Sequence, residues 1–363
     1  MIEMGSISNI KEDIFGTFID PETKLKSSVR RFTLSSECGI EVKVMSYGAG
    51  ICDIIAPDKN GDKDHIIFGF ENFNDYTKQS SYIGASIGRH FDRIGGGKFH
   101  LNGRDHQVTV NNFGNHVHGG TRGWDKYNWD AALVDSKSVV FSHVSPAGDQ
   151  GYPGDVLAQV KYTLGADGAL QIDYTAMATH ATPINMSDHC LFNLAGHAAG
   201  REAMMEHVFQ VNADTYLPIT ETVVPTGEVE SLQNTALDFR STVVLGKVID
   251  KIPSPGLSHC FCLRNSKRGD MGFAARIQHP SSGRVLEIYT TEPGLQLYSG
   301  YFLPKEDNQL VGFNGSSYKY QSAFCSLGQN YGDAVNKPHF PQSILHPGKI
   351  YKHSMIYKFM VQE

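Results

Sequence analysis

Histidines in two short segments of the chain could exchange protons with a substrate. His118 is followed by two glycines, which suits a loop where the backbone approaches a ligand and an imidazole presents a nitrogen. His189 directly follows Asp188. Neighbours on a strand face opposite ways, so we do not expect these two side chains to pair directly. Taken alone, each segment is also compatible with a structural histidine.

Two further segments carry carboxylates and an amide. Asp238 stands between Leu237 and Phe239, and an acid between two apolar residues needs partners if it is buried. Glu292 and Gln296 lie in a polar stretch that runs through a Pro-Gly pair, which is typical of a pocket rim. A structural role remains open for both segments.

Several other kinds of site are not supported by the sequence. His116 and His118 are two positions apart, but no second pair at ligand spacing stands near a carboxylate, so we expect no metal ion. The glycines at 95–97 lack the lysine of a phosphate loop, and there is no Gly-x-Ser-x-Gly nucleophile elbow. A net charge of −6 provides no basic face for nucleic acid.

A hydrophobic period of two places these segments on strands. Apolar and polar residues alternate over residues 40–44, 156–162, 170–174 and 285–289. The pairs Asp167-Gly168 and Asn102-Gly103 stand between such runs and predict hairpins with type I′ turns. We expect no helix longer than about two turns, with residues 201–207 the best candidate. The pattern predicts an all-β sandwich or barrel, in one domain over residues 1–363.

Composition narrows the class of protein further. The 363 residues are 40% hydrophobic and 19% charged, which is typical of a globular protein. Residues 1–16 lack the apolar core of a signal peptide and are expected to form a flexible tail. No apolar run approaches the roughly 18 residues that a membrane helix needs. Six dispersed cysteines are typical of reduced thiols, so we expect a cytoplasmic protein. We also expect no membrane partner.

Motifs spread over nearly the whole chain resemble the aldose 1-epimerase family. The resemblance rests on the order and spacing of these segments: Gly88-Arg89 with Arg93-Ile94, residues 116–120, His189 with Phe192-Asn193-Leu194, Asp238-Phe239-Arg240, Pro293-Gly294 with Gln296, residues 333–336, and Phe340-Pro341 with His346-Pro347-Gly348. It implies a large antiparallel β-sandwich of the galactose mutarotase type with a sugar-binding cleft. It also implies a small-molecule substrate, no cofactor, and a monomer or homodimer.

The resemblance implies roles for individual residues. The histidine matching His189 is the general acid that protonates the pyranose ring oxygen, and the one matching His118 holds and polarises the substrate. The positions matching Arg93, Asp238 and Gln296 hold sugar hydroxyls. Such a division is chemically sensible, because opening a hemiacetal removes a proton from one oxygen and adds one to another.

The chain departs from the family at the position of its general base. The family has a glutamate there, and this chain has Leu327. Carboxylates replace family amides near the pocket at Asp92, Asp188 and Glu292. We therefore expect an isomerase of altered reaction or substrate, acting on a cyclic hemiacetal or carbonyl compound other than a hexose, with Asp92, Glu292 and Leu327 facing it. The alternatives are an active hexose mutarotase with a relocated base, Glu292 first, and a non-catalytic carbohydrate-binding protein.

Overall fold

Short strands separated by turns make up most of the chain. The computed structural model describes residues 10–253, 256–264 and 269–362. In chain order the first strands are β1 (Ile10–Ile19), β2 (Lys26–Ser35), β3 (Glu41–Met45), β4 (Gly50–Pro57), β5 (Lys63–His65), β6 (Ser86–Ile87), β7 (Arg93–Ile94), β8 (Lys98–Leu101), β9 (Arg104–Gln107), β10 (His116–Val117), β11 (Asp130–Leu133), β12 (Ser138–Ser145), β13 (Val156–Leu164) and β14 (Ala169–Ala178). They are followed by β15 (Thr182–Pro183), β16 (Ser187–Asp188), β17 (Val208–Val211), β18 (Ala213–Leu217), β19 (Glu230–Ser231), β20 (Val243–Val244), β21 (Ser258–Leu263), β22 (Gly272–Gln278), β23 (Arg284–Thr290), β24 (Gly294–Tyr298), β25 (Cys325–Gln329), β26 (Ile344–Leu345) and β27 (Tyr351–Val361).

Three large antiparallel sheets organise these strands. The largest has nine strands in the order β11-β12-β13-β14-β27-β23-β22-β17-β20. A second sheet holds β1 to β5 in sequence, and a third has the order β19-β18-β21-β24-β25. The remaining named strands form the two-stranded pairs β10-β7, β15-β26, β16-β6 and β8-β9.

A shared apolar core joins the sheets into a sandwich. Val160 and Ile288 of the nine-stranded sheet belong to the same buried cluster as Val42 of β3 and Leu295 of β24. Residues alternate between buried and exposed along β13, as a strand with one face on the core requires. The prediction of an all-β antiparallel sandwich is confirmed.

The two predicted hairpin turns differ from each other. Asn102 and Gly103 both have positive φ, at 54° and 75°, as the predicted type I′ turn requires. In the second hairpin only Gly168 of the predicted pair has positive φ, at 79°, and the Gly165 N–H donates to the Ala169 carbonyl. The hairpin between β13 and β14 is therefore present, but its turn is longer than predicted and is not type I′.

Helices are short. The described residues form two α-helices, α1 (Phe73–Lys78) and α2 (Gly200–Met205), and α2 lies where the sequence predicts the best candidate. Throughout the described ranges, no helix is long and apolar enough to cross a membrane.

The N-terminal segment corrects one prediction. Residues 10–16, expected to be part of a flexible tail, belong to β1, which pairs with β2 in a register that places Asp13 opposite Arg31. The Asp13 carboxylate and the Arg31 guanidinium form an ion pair at 2.6 Å across this pair of strands. Most of β1 is exposed, so it lacks the apolar alternation that would have marked it as a strand. Residues 1–9 of the expected tail lie outside the described residues.

Candidate active site

A cavity of about 360 Å³ opens on the face of the third sheet that points away from the core. Strand β24 forms the floor of the cavity. Its side chains alternate, so that Leu295 and Leu297 enter the core while Gln296 and Tyr298 line the cavity. Six of the eight predicted site residues line it: His118, His189, Asp92, Arg93, Gln296 and Leu327. The chain therefore brings together groups from five separate parts of the sequence.

His118 has a fixed tautomer. Its Nδ1 accepts a hydrogen bond from the backbone N–H of Asp92 at 3.2 Å. Because a backbone amide can only donate, the ring proton of neutral His118 lies on Nε2. Burial, assisted by the neighbouring His189, holds the pKa of His118 well below its usual value. At neutral pH this imidazole is therefore uncharged and offers one N–H donor.

His189 follows β16 and lies against three other rings. Its centroid is 5.4 Å from that of His118, 5.7 Å from that of Tyr82 and 6.3 Å from that of Tyr298. Its Nδ1 is 3.9 Å from the Cys325 sulfur. Burial among these groups lowers the pKa of His189 to about 4. Both imidazoles are therefore neutral at physiological pH.

Asp92 and Arg93 form the charged wall of the cavity. The Asp92 Oδ1 accepts a hydrogen bond from Arg93 Nη1 at 3.3 Å, and Arg93 Nη2 donates to Asn112 at 3.4 Å. Burial raises the pKa of the Asp92 carboxyl, and the Arg93 charge offsets only part of this effect. A carboxyl group with a raised pKa can gain and lose a proton closer to neutrality than an exposed aspartate.

Gln296 and Leu327 lie side by side on the cavity floor. They are directly opposite each other in the register of β24 and β25, so their side chains share one face of the sheet. Gln296 accepts a hydrogen bond from the Gln329 side chain at 3.3 Å. Leu327 is only 1% exposed and belongs to the same apolar cluster as Leu191. This part of the floor is therefore apolar where Leu327 stands and polar where Gln296 stands.

Two predicted binding residues lie outside the cavity lining. Asp238 pairs with the Arg240 guanidinium through two hydrogen bonds, at 2.8 and 2.7 Å, on a partly exposed loop. Glu292 is fully buried, and its Oε1 accepts a hydrogen bond from the Tyr351 hydroxyl at 3.3 Å. A bend at residues 291–293 interrupts the strand alternation, so that Glu292 does not share the face of Gln296. These two positions correct the sequence-based expectation.

Asp188 also points away from the cavity. Its carboxylate accepts hydrogen bonds from the Tyr357 hydroxyl at 2.9 Å and from the Cys190 N–H at 2.9 Å, and it is fully buried. The opposite orientation of Asp188 and His189 is the one predicted from strand geometry. Neither Asp188 nor Glu292 reaches the cavity in this structure.

Several lining residues were not found by sequence reasoning. Ser258 begins β21 opposite Tyr298 of β24, and this cross-strand register could have indicated that it shares the cavity face. Tyr82 and Asn112 lie on loops whose sequences carry no periodic signal. In the three described ranges, no group of three or more His, Cys, Asp or Glu residues is arranged to hold a metal ion.

The antiparallel sheets and this polar, imidazole-lined cavity are those of a β-sandwich protein with a binding cavity on one sheet. The chain belongs to the aldose 1-epimerase family, because the model of that family, described as "Aldose 1-epimerase", matches residues 30–358. This match confirms the resemblance found in the motifs.

Named relatives are similar to this chain over nearly its full length. The chain is 42% identical to galactose mutarotase of Homo sapiens over 334 residues, covering 92% of this chain and 95% of that protein. It is 30% identical to aldose 1-epimerase of Escherichia coli strain K12 over 339 residues, covering 92% and 96%. Among solved structures, the GalM/aldose epimerase homologue from C. elegans has a TM-score of 0.84 at 27% identity, covering 91% of this chain and 98% of that one.

Proposed function

We propose that this protein is an isomerase that opens and recloses a cyclic hemiacetal by proton transfer, with Asp92 and His189 exchanging the protons. The observation that carries the proposal concerns the cavity lining. Within the described part of the chain, Asp92 is the one carboxylate that lines the cavity, and it shares that lining with two neutral imidazoles. Glu292 and Asp188, the other candidates for a relocated base, are buried away from it.

The direction of the two pKa shifts supports this pair. Burial raises the pKa of Asp92 and lowers the pKa of His189 to about 4, so the proton affinities of the two groups move towards each other. Each group can then either give a proton to a substrate oxygen or take one from it, as general acid–base catalysis requires. One proton held by the pair is sufficient. The unprotonated partner takes the C1 hydroxyl proton while the protonated partner gives its proton to the ring oxygen, and reclosure reverses both transfers.

The rest of the lining suits a compound with many hydroxyl groups. Asn111, Asn112, Ser258 and Gln296 bring both hydrogen-bond donors and acceptors to the cavity wall. The Nε2–H of His118 provides a further donor. We therefore propose a sugar ring as the substrate, and not the less polar metabolite that Leu327 alone would favour. Relatives named galactose mutarotase and aldose 1-epimerase support the same reaction class.

A second candidate function is non-catalytic carbohydrate binding. The observation that favours it is the position of Leu327, which presents an apolar side chain on the floor beside Gln296. A protein of this kind would retain the hydroxyl contacts and lack proton transfer, because a fold does not dictate its chemistry.

Polarimetry of fresh α-D-glucose and α-D-galactose tests the proposal. We expect measurable mutarotation by the wild type and a loss of about 10²–10⁴-fold in Asp92→Asn, which is typical of removing an acid–base group. Asp173→Asn, on β14 outside the cavity lining, is the matched control and should keep the wild-type rate. A wild type that binds the sugars in calorimetry without accelerating mutarotation would contradict the proposal and favour the binding function.

A further inference from the structure

The Asp188 side chain holds the backbone on both sides of His189. Its Oδ1 accepts a hydrogen bond from the Cys190 N–H at 2.9 Å, so the carboxylate closes a turn around His189. Asp188 also pairs with Ser86 across the β16–β6 ladder, and the His189 carbonyl accepts from the Gly84 N–H at 3.0 Å. These bonds fix the backbone of His189, and with it the direction of the bond that carries the imidazole.

The His189 ring depends on this backbone for its position. Among the described residues, its one hydrogen-bond contact is the 3.9 Å approach of Nδ1 to the Cys325 sulfur. A thiol is a weak hydrogen-bonding group, so this contact restrains the ring only slightly. The neighbouring His118 is different, because its Nδ1 accepts directly from the Asp92 backbone N–H.

Tyr357 anchors the Asp188 carboxylate to the nine-stranded sheet. Its hydroxyl donates to Asp188 Oδ2 at 2.9 Å and lies 3.4 Å from the carbonyl of Ser326 on the floor strand β25. Tyr357 stands on β27, in the middle of the nine-stranded sheet, and is fully buried. Its ring packs against the Phe192 ring at a centroid distance of 5.2 Å. A close-packed side chain of this kind is a fixed point to which the segment carrying His189 is attached.

We propose that Tyr357 is a positioning residue for proton transfer at His189: its hydroxyl holds the Asp188 carboxylate, and Asp188 holds the imidazole in the direction that faces the cavity. The catalytic part of this proposal rests on the proposed function, because a group that exchanges protons must stay within hydrogen-bond reach of the substrate oxygen. Tyr357 and Asp188 do not line the cavity, so their effect should appear in turnover and not in sugar affinity.

Tyr357→Phe tests the proposal, because it keeps the ring and removes only the hydroxyl. We expect kcat for glucose mutarotation to fall about tenfold and KM to change less than twofold, since a small misplacement of a reacting group costs turnover. Tyr174→Phe on the neighbouring strand β14 is the matched control. Tyr174 is equally buried, and its hydroxyl has no hydrogen-bond partner among the described residues, so this variant should keep the wild-type values.

Replacements of Asp188 test the same chain of contacts from its other end. Asp188→Asn retains an oxygen that accepts from the Cys190 N–H, so it should keep most of the turnover. Asp188→Ala removes that acceptor, and its kcat should fall as far as that of Tyr357→Phe.

The position of the His189 ring can also be measured without turnover. In protein labelled with carbon-13 at histidine Cε1, the NMR signal of His189 is identified by its absence from His189→Gln. We expect this signal to shift or split in Tyr357→Phe and in Asp188→Ala. It should stay at its wild-type position in Tyr174→Phe.

The two readouts separate this proposal from the proposed function. A wild type without mutarotation contradicts the proposed function, and the His189 signal then decides the positioning role by itself. An unchanged His189 signal in Tyr357→Phe, a loss confined to KM, or turnover equal to that of Tyr174→Phe overturns the proposal. If Tyr357→Phe does not fold, the Asp188 variants decide: Asp188→Ala and Asp188→Asn with the same signal and the same turnover overturn it.

Discussion

His118 and Asp92 exchange two hydrogen bonds at the cavity wall. The His118 N–H donates to the Asp92 carbonyl at 3.1 Å, and the Asp92 N–H donates to His118 Nδ1 at 3.2 Å. Both residues have positive φ, at 51° and 60°, which is uncommon for residues other than glycine, although Asp and His adopt it more often than most. Backbone outliers of this kind cluster at sites where side chains are held for function. The pair fixes the tautomer of His118 and the position of Asp92 together.

Replacing His118 should weaken sugar binding without unfolding the protein. Asparagine tolerates positive φ, so His118→Asn keeps the loop conformation while removing the Nε2–H donor. We expect a loss of sugar affinity of about three- to tenfold, which corresponds to one hydrogen bond of roughly 1 kcal/mol. Calorimetry gives the affinity and a thermal melt gives the stability.

His118→Val is the matched comparison, because a β-branched residue is strained at this φ. It should lower the melting temperature more than His118→Asn does. Equal affinity in wild type and His118→Asn would show that the imidazole does not contact the sugar.

Local sequence rules predicted those parts of the fold that depend on short-range geometry. Asn102-Gly103 forms the expected turn because both residues readily adopt positive φ. β1 could not be found in the same way, because its pairing with β2 depends on cross-strand contacts such as the one between Asp13 and Arg31. The strand propensity of a single segment carries no information about which other strand will pair with it.

The position of a site residue could be predicted from the sequence where its motif lies on a regular strand. Gln296 lies on regular β24, so its position on the cavity face follows from alternation. Glu292 lies in a bend two residues before that strand, where the same argument fails. Asp238 satisfies its charge with Arg240, a partner two residues away that competes with any ligand. Sequence similarity gives the alignment of such residues, but not the direction in which their side chains point.

Stability should fall in acid because His189 is buried as a neutral imidazole. Its pKa is about 4 in the folded protein and near 6.5 when unfolded, so the unfolded state binds more protons between these values. Lowering the pH from 7 to 5 should cost about 2 kcal/mol of unfolding free energy from this group alone. Urea unfolding at the two pH values measures the difference. His189→Gln should reduce it, while removal of exposed His180 by His180→Gln should not; identical pH dependence in both variants would contradict the assignment.

Asp188→Asn should stabilise the protein above neutral pH. Burial raises the pKa of Asp188, so the folded protein retains a proton that the unfolded chain releases as the pH rises above about 3.8. The wild type therefore loses stability as the pH rises through that range, up to the folded pKa, and asparagine avoids this loss. Its amide oxygen can accept from the Cys190 N–H, and its amino group can donate to the Tyr357 hydroxyl.

We expect a gain of roughly 1–3 kcal/mol at pH 8, the scale of a buried group freed from its desolvation cost, and a smaller gain at pH 4. Urea unfolding at both pH values gives the comparison. Asp188→Ala is the control that removes the carboxylate to which the Tyr357 hydroxyl donates at 2.9 Å, and it should not show the gain. If Asp188→Asn is less stable than the wild type at both pH values, the buried carboxylate is stabilised by more than the hydrogen bonds that the structure shows.

Leu327→Glu should make stability depend on pH in a way that reports how the cavity floor is solvated. Leu327 is buried in the cluster that contains Leu191 and Cys325, so a glutamate there would lose much of its hydration and its pKa should rise. Because its pKa would be raised, the glutamate variant should lose stability as the pH increases. At pH 8 we expect its free energy of unfolding to be roughly 1–3 kcal/mol lower than that of Leu327→Met, and at pH 5 the difference should be smaller. Leu327→Met is the volume-matched apolar control. Urea unfolding of both variants measures the deficit. If it does not change with pH, the new carboxylate reaches water or the Gln296 amide through the cavity, and the floor at position 327 is open to a polar ligand.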